Sequence, residues 1–111
     1  MSGEAHGFVH RAELLLDEAA DDRAPGGAVT VALCGHWDHE GPCRWPHNNA
    51  IDASTVPARF RTVFVAVDAD VEEVRHRIET GLRSDPSWTV VVSTTGTLDD
   101  DERALSDKLG G

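Results

Sequence analysis

The chain has no apolar run approaching the roughly 20 residues that a membrane-spanning helix needs. Its first residues, Met1-Ser2-Gly3-Glu4, lack the charged and apolar regions of a secretory signal. A cytoplasmic location, with no membrane partner, is therefore the expectation. Positive charge is also scarce: 10 Lys and Arg stand against 20 Asp and Glu, for a formal charge of −10. A field of that sign opposes nucleic acid and anionic membrane surfaces, and favours cations or basic partners. A protein partner or a homodimer stays open. Nearly all the cations are arginines, Lys108 being the one lysine.

Cysteine is scarce as well. There are two, Cys34 and Cys43, and they lack Cys-x-x-Cys spacing. In a reducing compartment such a pair reads as thiols, metal ligands or redox groups sooner than as a structural disulfide. No repeat or linker divides the chain, so residues 1–111 are expected to form a single α/β domain. A chain of this size hides about two-thirds of its unfolded surface on folding. It needs neither metal nor disulfide simply to hold a core.

The apolar spacing predicts a compact α/β sandwich in the order α-β-long loop-β-α-β-α, with a three-stranded sheet at least partly parallel. Phe8, Val9, Ala12, Leu15, Leu16 and Ala19 make one helical stripe over 5–20. His6 and His10 would share a face of that helix. Asp21 to Gly27 is a breaker cluster. Ala28 to Cys34, β-branched and nearly all apolar, reads as the first strand. Phe60 to Val67 and Trp88 to Ser93 read as the second and third. Between those two lies a helix opened by Asp70 and Glu73, with Val71, Val74, Ile78 and Leu82 buried. Such a strand-helix-strand unit is expected to be parallel. A last short helix has Thr97 as its expected N-cap.

What remains is a long loop from the first strand to about Ala58. Connections of that length in a compact domain are usually functional or disordered, and this one lacks the low-complexity composition of disorder. Its core, Cys34 to Asn49, reads Cys-Gly-His-Trp-Asp-His-Glu-Gly-Pro-Cys-Arg-Trp-Pro-His-Asn-Asn. Five donors fall within it: Cys34, His36, His39, Cys43 and His47. Thiolate and imidazole together suit Zn²⁺, and thiolate suits Cu(I). The set His36, His39, Cys43 and His47, with Cys34 as the substitute, is the expected zinc site, copper being the second choice. The spacings match no standard zinc finger, so density carries the expectation.

The same stretch supports two other readings. In one it is an enzyme site, with His36 or His39 as acid/base and Asp38 or Glu40 orienting the ring. In the other it is a protein-interaction surface with Trp37 and Trp45 as anchors. The candidate ligand-binding residues are Trp37, Trp45, Asn48 and Arg44. Arg44 and Arg59 are the candidates for gripping a carboxylate, although surface arginines in an acidic chain often only balance nearby acids. Thr94, Thr95 and Gly96 follow a strand, where α/β sites often lie.

Overall fold

The computed structural model describes residues 5–18, 20–34 and 45–110. Four strands, β1 (His6–Leu16), β2 (His47–Asp52), β3 (Ala58–Ala66) and β4 (Trp88–Gly96), form one sheet in the order β2-β3-β1-β4. Among the described residues there are also three α-helices, α1 (Ala24–Cys34), α2 (Val71–Leu82) and α3 (Asp100–Gly110), and a short 3-10 helix at Asp68–Asp70. Every neighbouring strand pair is antiparallel. The β-α-β-β-α-β order with this strand arrangement is the split β-α-β topology of ferredoxin-like domains, here followed by a third helix.

This corrects the expected three-stranded, partly parallel sheet. β3 and β4 do run in the same direction, but β1 lies between them and is antiparallel to both. The first helix and first strand of the sequence reading also exchange identities. The stretch expected to be helical is β1, and Ala28–Cys34 belongs to α1.

The physical reason is coverage on both faces. Along β1, Ala12 and Leu14 are buried against the side chains of α1 and α2, while Val9 is buried on the opposite face. A strand covered on both sides loses its period of two and imitates a helical stripe. In α1, Pro25 occupies the first turn, where its missing N–H is no loss. Val29 and Leu33 then fall four apart on the buried face.

The main core lies between the sheet and the α1–α2 layer. Phe60, Phe64 and Ala66 from β3 meet Val29 and Leu33 of α1 and Val74, Ile78 and Leu82 of α2. Burying a Phe or Leu here stabilises the fold by about 1.5–3 kcal/mol. The expected apolar face of α2 is the observed one, with Val71 packed at its margin. Its N-terminal chemistry differs. The Asp70 side chain makes no cap hydrogen bond and instead accepts from the Trp45 indole Nε1 at 3.3 Å. Ser84 ends the helix by donating to the Gly81 carbonyl.

α3 packs on the other side of the sheet, against β1 and β3. It begins two residues later than the Thr97 cap requires. Asp99 and Glu102 form a reciprocal capping box: Glu102 N donates to Asp99 Oδ1 at 2.8 Å, and Asp99 N to Glu102 Oε1 at 2.9 Å. No helix among the described residues is long and apolar enough to cross a membrane.

Candidate functional site

Antiparallel register lays the α3-side face out in rows. One row reads Asn48, Val63, Val9, Gly96 across β2, β3, β1 and β4. The next reads Ala50, Arg61, Arg11, Thr94, and the next Asp52, Arg59, Glu13, Val92. α3 covers the first of these. The other two floor a cleft of about 670 Å³, a size suited to a small ligand. Three arginines in a chain with ten basic residues thus face one cleft.

Two of them are held by a single acid. Glu102, only 4% exposed, accepts from Arg11 Nη2 at 2.6 Å and Nη1 at 2.9 Å, and lies 3.4 Å from Arg61 Nε. This bidentate contact raises the Arg11 pKa above its ordinary value. Arg11 also donates to the Thr97 carbonyl at 3.0 Å. Gly96 makes that reach possible: a Cβ there would overlap the Arg11 side chain. Arg61 Nη1 donates to the Asn48 carbonyl at 3.3 Å.

Arg59 is different. Its side chain makes no hydrogen bond or ion pair with the described residues, and it is exposed at the cleft. Its register partners are the carboxylates of Glu13 and Asp52. Hydrogen bonds from Ser54 hold the Asp52 pKa below the ordinary carboxylate value, and Arg59 adds a smaller push the same way. The cleft is therefore of mixed sign, with one guanidinium uncommitted.

A serine-histidine pair lies on the opposite face. His10 Nε2 is 2.8 Å from Ser93 Oγ, and Arg75 Nη1 donates to His10 Nδ1 at 3.1 Å. A guanidinium only donates, so Nδ1 of the neutral ring must accept and Nε2 carries the proton. His10 thus gives a hydrogen bond to Ser93 and has no lone pair there with which to take its proton. This tautomer is the reverse of what a general base needs. Burial lowers the His10 pKa, and the Arg75 charge lowers it further against a smaller opposing effect from Glu79. The dyad is a satisfied core network. The His6–His10 pair does not survive as a site: four residues along a strand separates the two Cα atoms by about 13 Å.

Of the loop donors, His36, His39 and Cys43 lie outside the described residues, as do Trp37 and Arg44. The other two are described and committed. Cys34 is disulfide-bonded, which corrects its reading as a thiol. His47 Nδ1 pairs with the Trp45 carbonyl at 2.9 Å and Nε2 with Thr30 Oγ1 at 3.2 Å. No group of three or more His, Cys, Asp or Glu able to hold a metal occurs among the described residues.

Trp45, expected as an interaction anchor or ligand-binding residue, is 2% exposed in the core, with the Arg77 guanidinium 5.0 Å from its ring centre. Asn49 belongs to a half-buried hydrogen-bond ladder. It accepts from Thr62 Oγ1 at 2.7 Å and donates to the Gly26 carbonyl at 2.9 Å and to Thr30 Oγ1 at 3.2 Å. Asn48 faces the α3 side of the sheet beside Arg61. A second cleft, of about 340 Å³, runs along α1 and β2, but the polar groups of Thr30, His47 and Asn49 that line it already satisfy one another.

Arg59 and Arg61 were reachable from sequence, because two residues apart in a strand means one shared face. Arg11 was hidden by the helical reading of β1. Glu102 was hidden by the displaced cap of α3. Comparison with family models, curated proteins and solved structures finds no match to the chain.

Proposed function

We propose that the protein is a small binding domain whose site is the uncovered part of the sheet face, and that its ligand carries a carboxylate or phosphate. One observation carries this reading. Arg59 stands in a cleft of ligand size with its guanidinium uncommitted, in front of the Arg11–Arg61 pair. A guanidinium is the side chain best matched to a planar or tetrahedral oxyanion, which it grips with two parallel hydrogen bonds.

Glu13 and Asp52 on either side of Arg59 narrow the class. Their charges repel a polyanion and are indifferent or attractive to a ligand whose remainder is neutral or cationic. This agrees with the chain's overall negative charge, which disfavours nucleic acid. The reversed tautomer at His10 and Ser93 removes the one nucleophile-base pair seen in the described core from a catalytic role. Binding is therefore the reading supported here.

Isothermal titration tests it. Succinate and inorganic phosphate, each at constant ionic strength, are expected to bind the wild-type protein with one site per chain. Arg59→Ala is expected to weaken binding about tenfold, the loss of a charge-assisted contact of about 1.4 kcal/mol. Arg103→Ala, on the outer face of α3, is expected to leave it unchanged. Binding that ignores Arg59, or no binding of either anion, overturns the reading.

A further inference from the structure

Resting on that binding reading, we propose that α3 is an autoinhibitory strap over the site, and that Glu102 occupies the Arg11–Arg61 pair as an internal stand-in for a ligand carboxylate. Among the buried side chains of the described residues, Glu102 is the one acid. It meets Arg11 through both oxygens and Arg61 through one. A bound carboxylate would present the same planar pair of acceptors to the same two guanidinium groups. The ligand class this assigns is a carboxylate, whose geometry Glu102 reproduces, ahead of a phosphate.

The attachment of α3 suits a removable element. Its sheet-facing residues are Glu102, Leu105, Ser106 and Leu109, and of these only Glu102 and Ser106 are buried. Both leucines remain half-buried, so no apolar side chain of α3 is locked into a core. Its charged tie to the sheet is Glu102, paired with Arg11 and Arg61. A ligand that takes the arginines from Glu102 removes that tie. Beneath α3 lie Val9 and Val63, both fully buried and outside the main core, and lifting the helix would extend the cleft with an apolar floor.

The structure also supplies a wedge that touches no ligand group. Gly7 lies directly under Ser106, and a Cβ at Gly7 would overlap both Oγ and Cβ of that serine. Rotating the hydroxyl cannot relieve the overlap, so Gly7→Ala has to push α3 away from the sheet. Glu102→Gln is the complementary variant. Glutamine keeps the capping-box shape but gives up the charge that holds the arginines.

The experiment uses the full chain and two readouts, hydrogen exchange of the α3 amides and titration with succinate. Succinate is expected to speed exchange across 103–109 in the wild-type protein by about tenfold, within the usual range of coupling between two sites. Gly7→Ala and Glu102→Gln are each expected to speed that exchange without ligand and to bind succinate about fivefold more tightly or better. Should succinate bind through Arg59 while α3 exchange stays constant, or should neither variant gain affinity, the strap is wrong and the binding site stands. Phosphate competing better than succinate overturns the ligand assignment. Failure of both succinate and phosphate to bind the wild-type protein overturns site and strap together.

Discussion

The Glu102 carboxylate grips the Arg11 guanidinium at 2.6 and 2.9 Å across 91 residues of chain. One residue thereby caps α3, ties it to the centre of the sheet and fixes two of the three arginines in the cleft. Glu102→Ala is expected to cost about 2 kcal/mol, combining a lost cap with a lost, partly screened ion pair. Glu102→Gln is expected to cost about half as much, because the amide still caps. Urea unfolding of the two variants beside wild type reads the difference. Equal costs would mean that the cap contributes nothing, and a cost-free Glu102→Gln would mean that the charge contributes nothing.

His10 gives the fold a pH dependence of known sign. Burial and Arg75 hold its pKa down in the folded protein, while the unfolded chain titrates near 6.5. Above that value both states are neutral and the network contributes fully. As pH falls below it, the unfolded chain takes up a proton that the folded core resists, and stability is lost progressively toward the folded pKa. Wild type is expected to lose more stability than His10→Gln between pH 7.5 and 5.5 in paired urea titrations. Identical losses would show that His10 does not titrate in this way.

The polar ladder between α1, β2 and β3 makes a second stability prediction. Thr62, with 0% exposure, has Asn49 as its hydrogen-bond partner. Asn49→Ala takes a hydrogen bond from that hydroxyl, from the Gly26 carbonyl and from Thr30, which keeps His47, at an expected cost of about 2–3 kcal/mol. The exposed neighbour Asn48→Ala is expected to stay within about 0.5 kcal/mol of wild type. Thermal or urea unfolding of the pair checks the ladder, which requires the two to differ clearly.

Cys34 is cross-linked, so Cys34→Ser is expected to lower stability by about 2–4 kcal/mol through a freer unfolded chain. Thiol titration of the denatured, unreduced protein is expected to find no reactive thiol. Two thiols per chain under those conditions would refute the cross-link.

The second half of the fold was legible because its signals are local. Val71, Val74, Ile78 and Leu82 carry a helical period that nothing contradicts, and the β-branched runs ending near Val67 and starting at Trp88 have clear boundaries. The first half was misread because its decisive contacts are distant. β1 is a central strand under helices on one face and α3 on the other, so its apolar positions lost their alternation. α1 is a short apolar helix, and its β-branched residues imitate a strand. β2 has almost no apolar pattern at all. What holds His47 and Asn49 there is hydrogen bonding to Thr30 and Thr62, residues 17 and 13 positions away. The site followed the same rule. Residue type alone marks Arg59 as a carboxylate candidate, but the cleft that gives it meaning is assembled from four strands and the start of α3.

The most direct test of the binding site is the arginine side-chain ¹⁵N–¹H spectrum during titration with succinate. The Arg59 Nε signal is expected to shift and saturate with a single binding curve, accompanied by Arg11 and Arg61, while the exposed Arg83 and Arg103 stay in place. A uniform small drift of all arginine signals, or a shift that spares Arg59, would contradict the account.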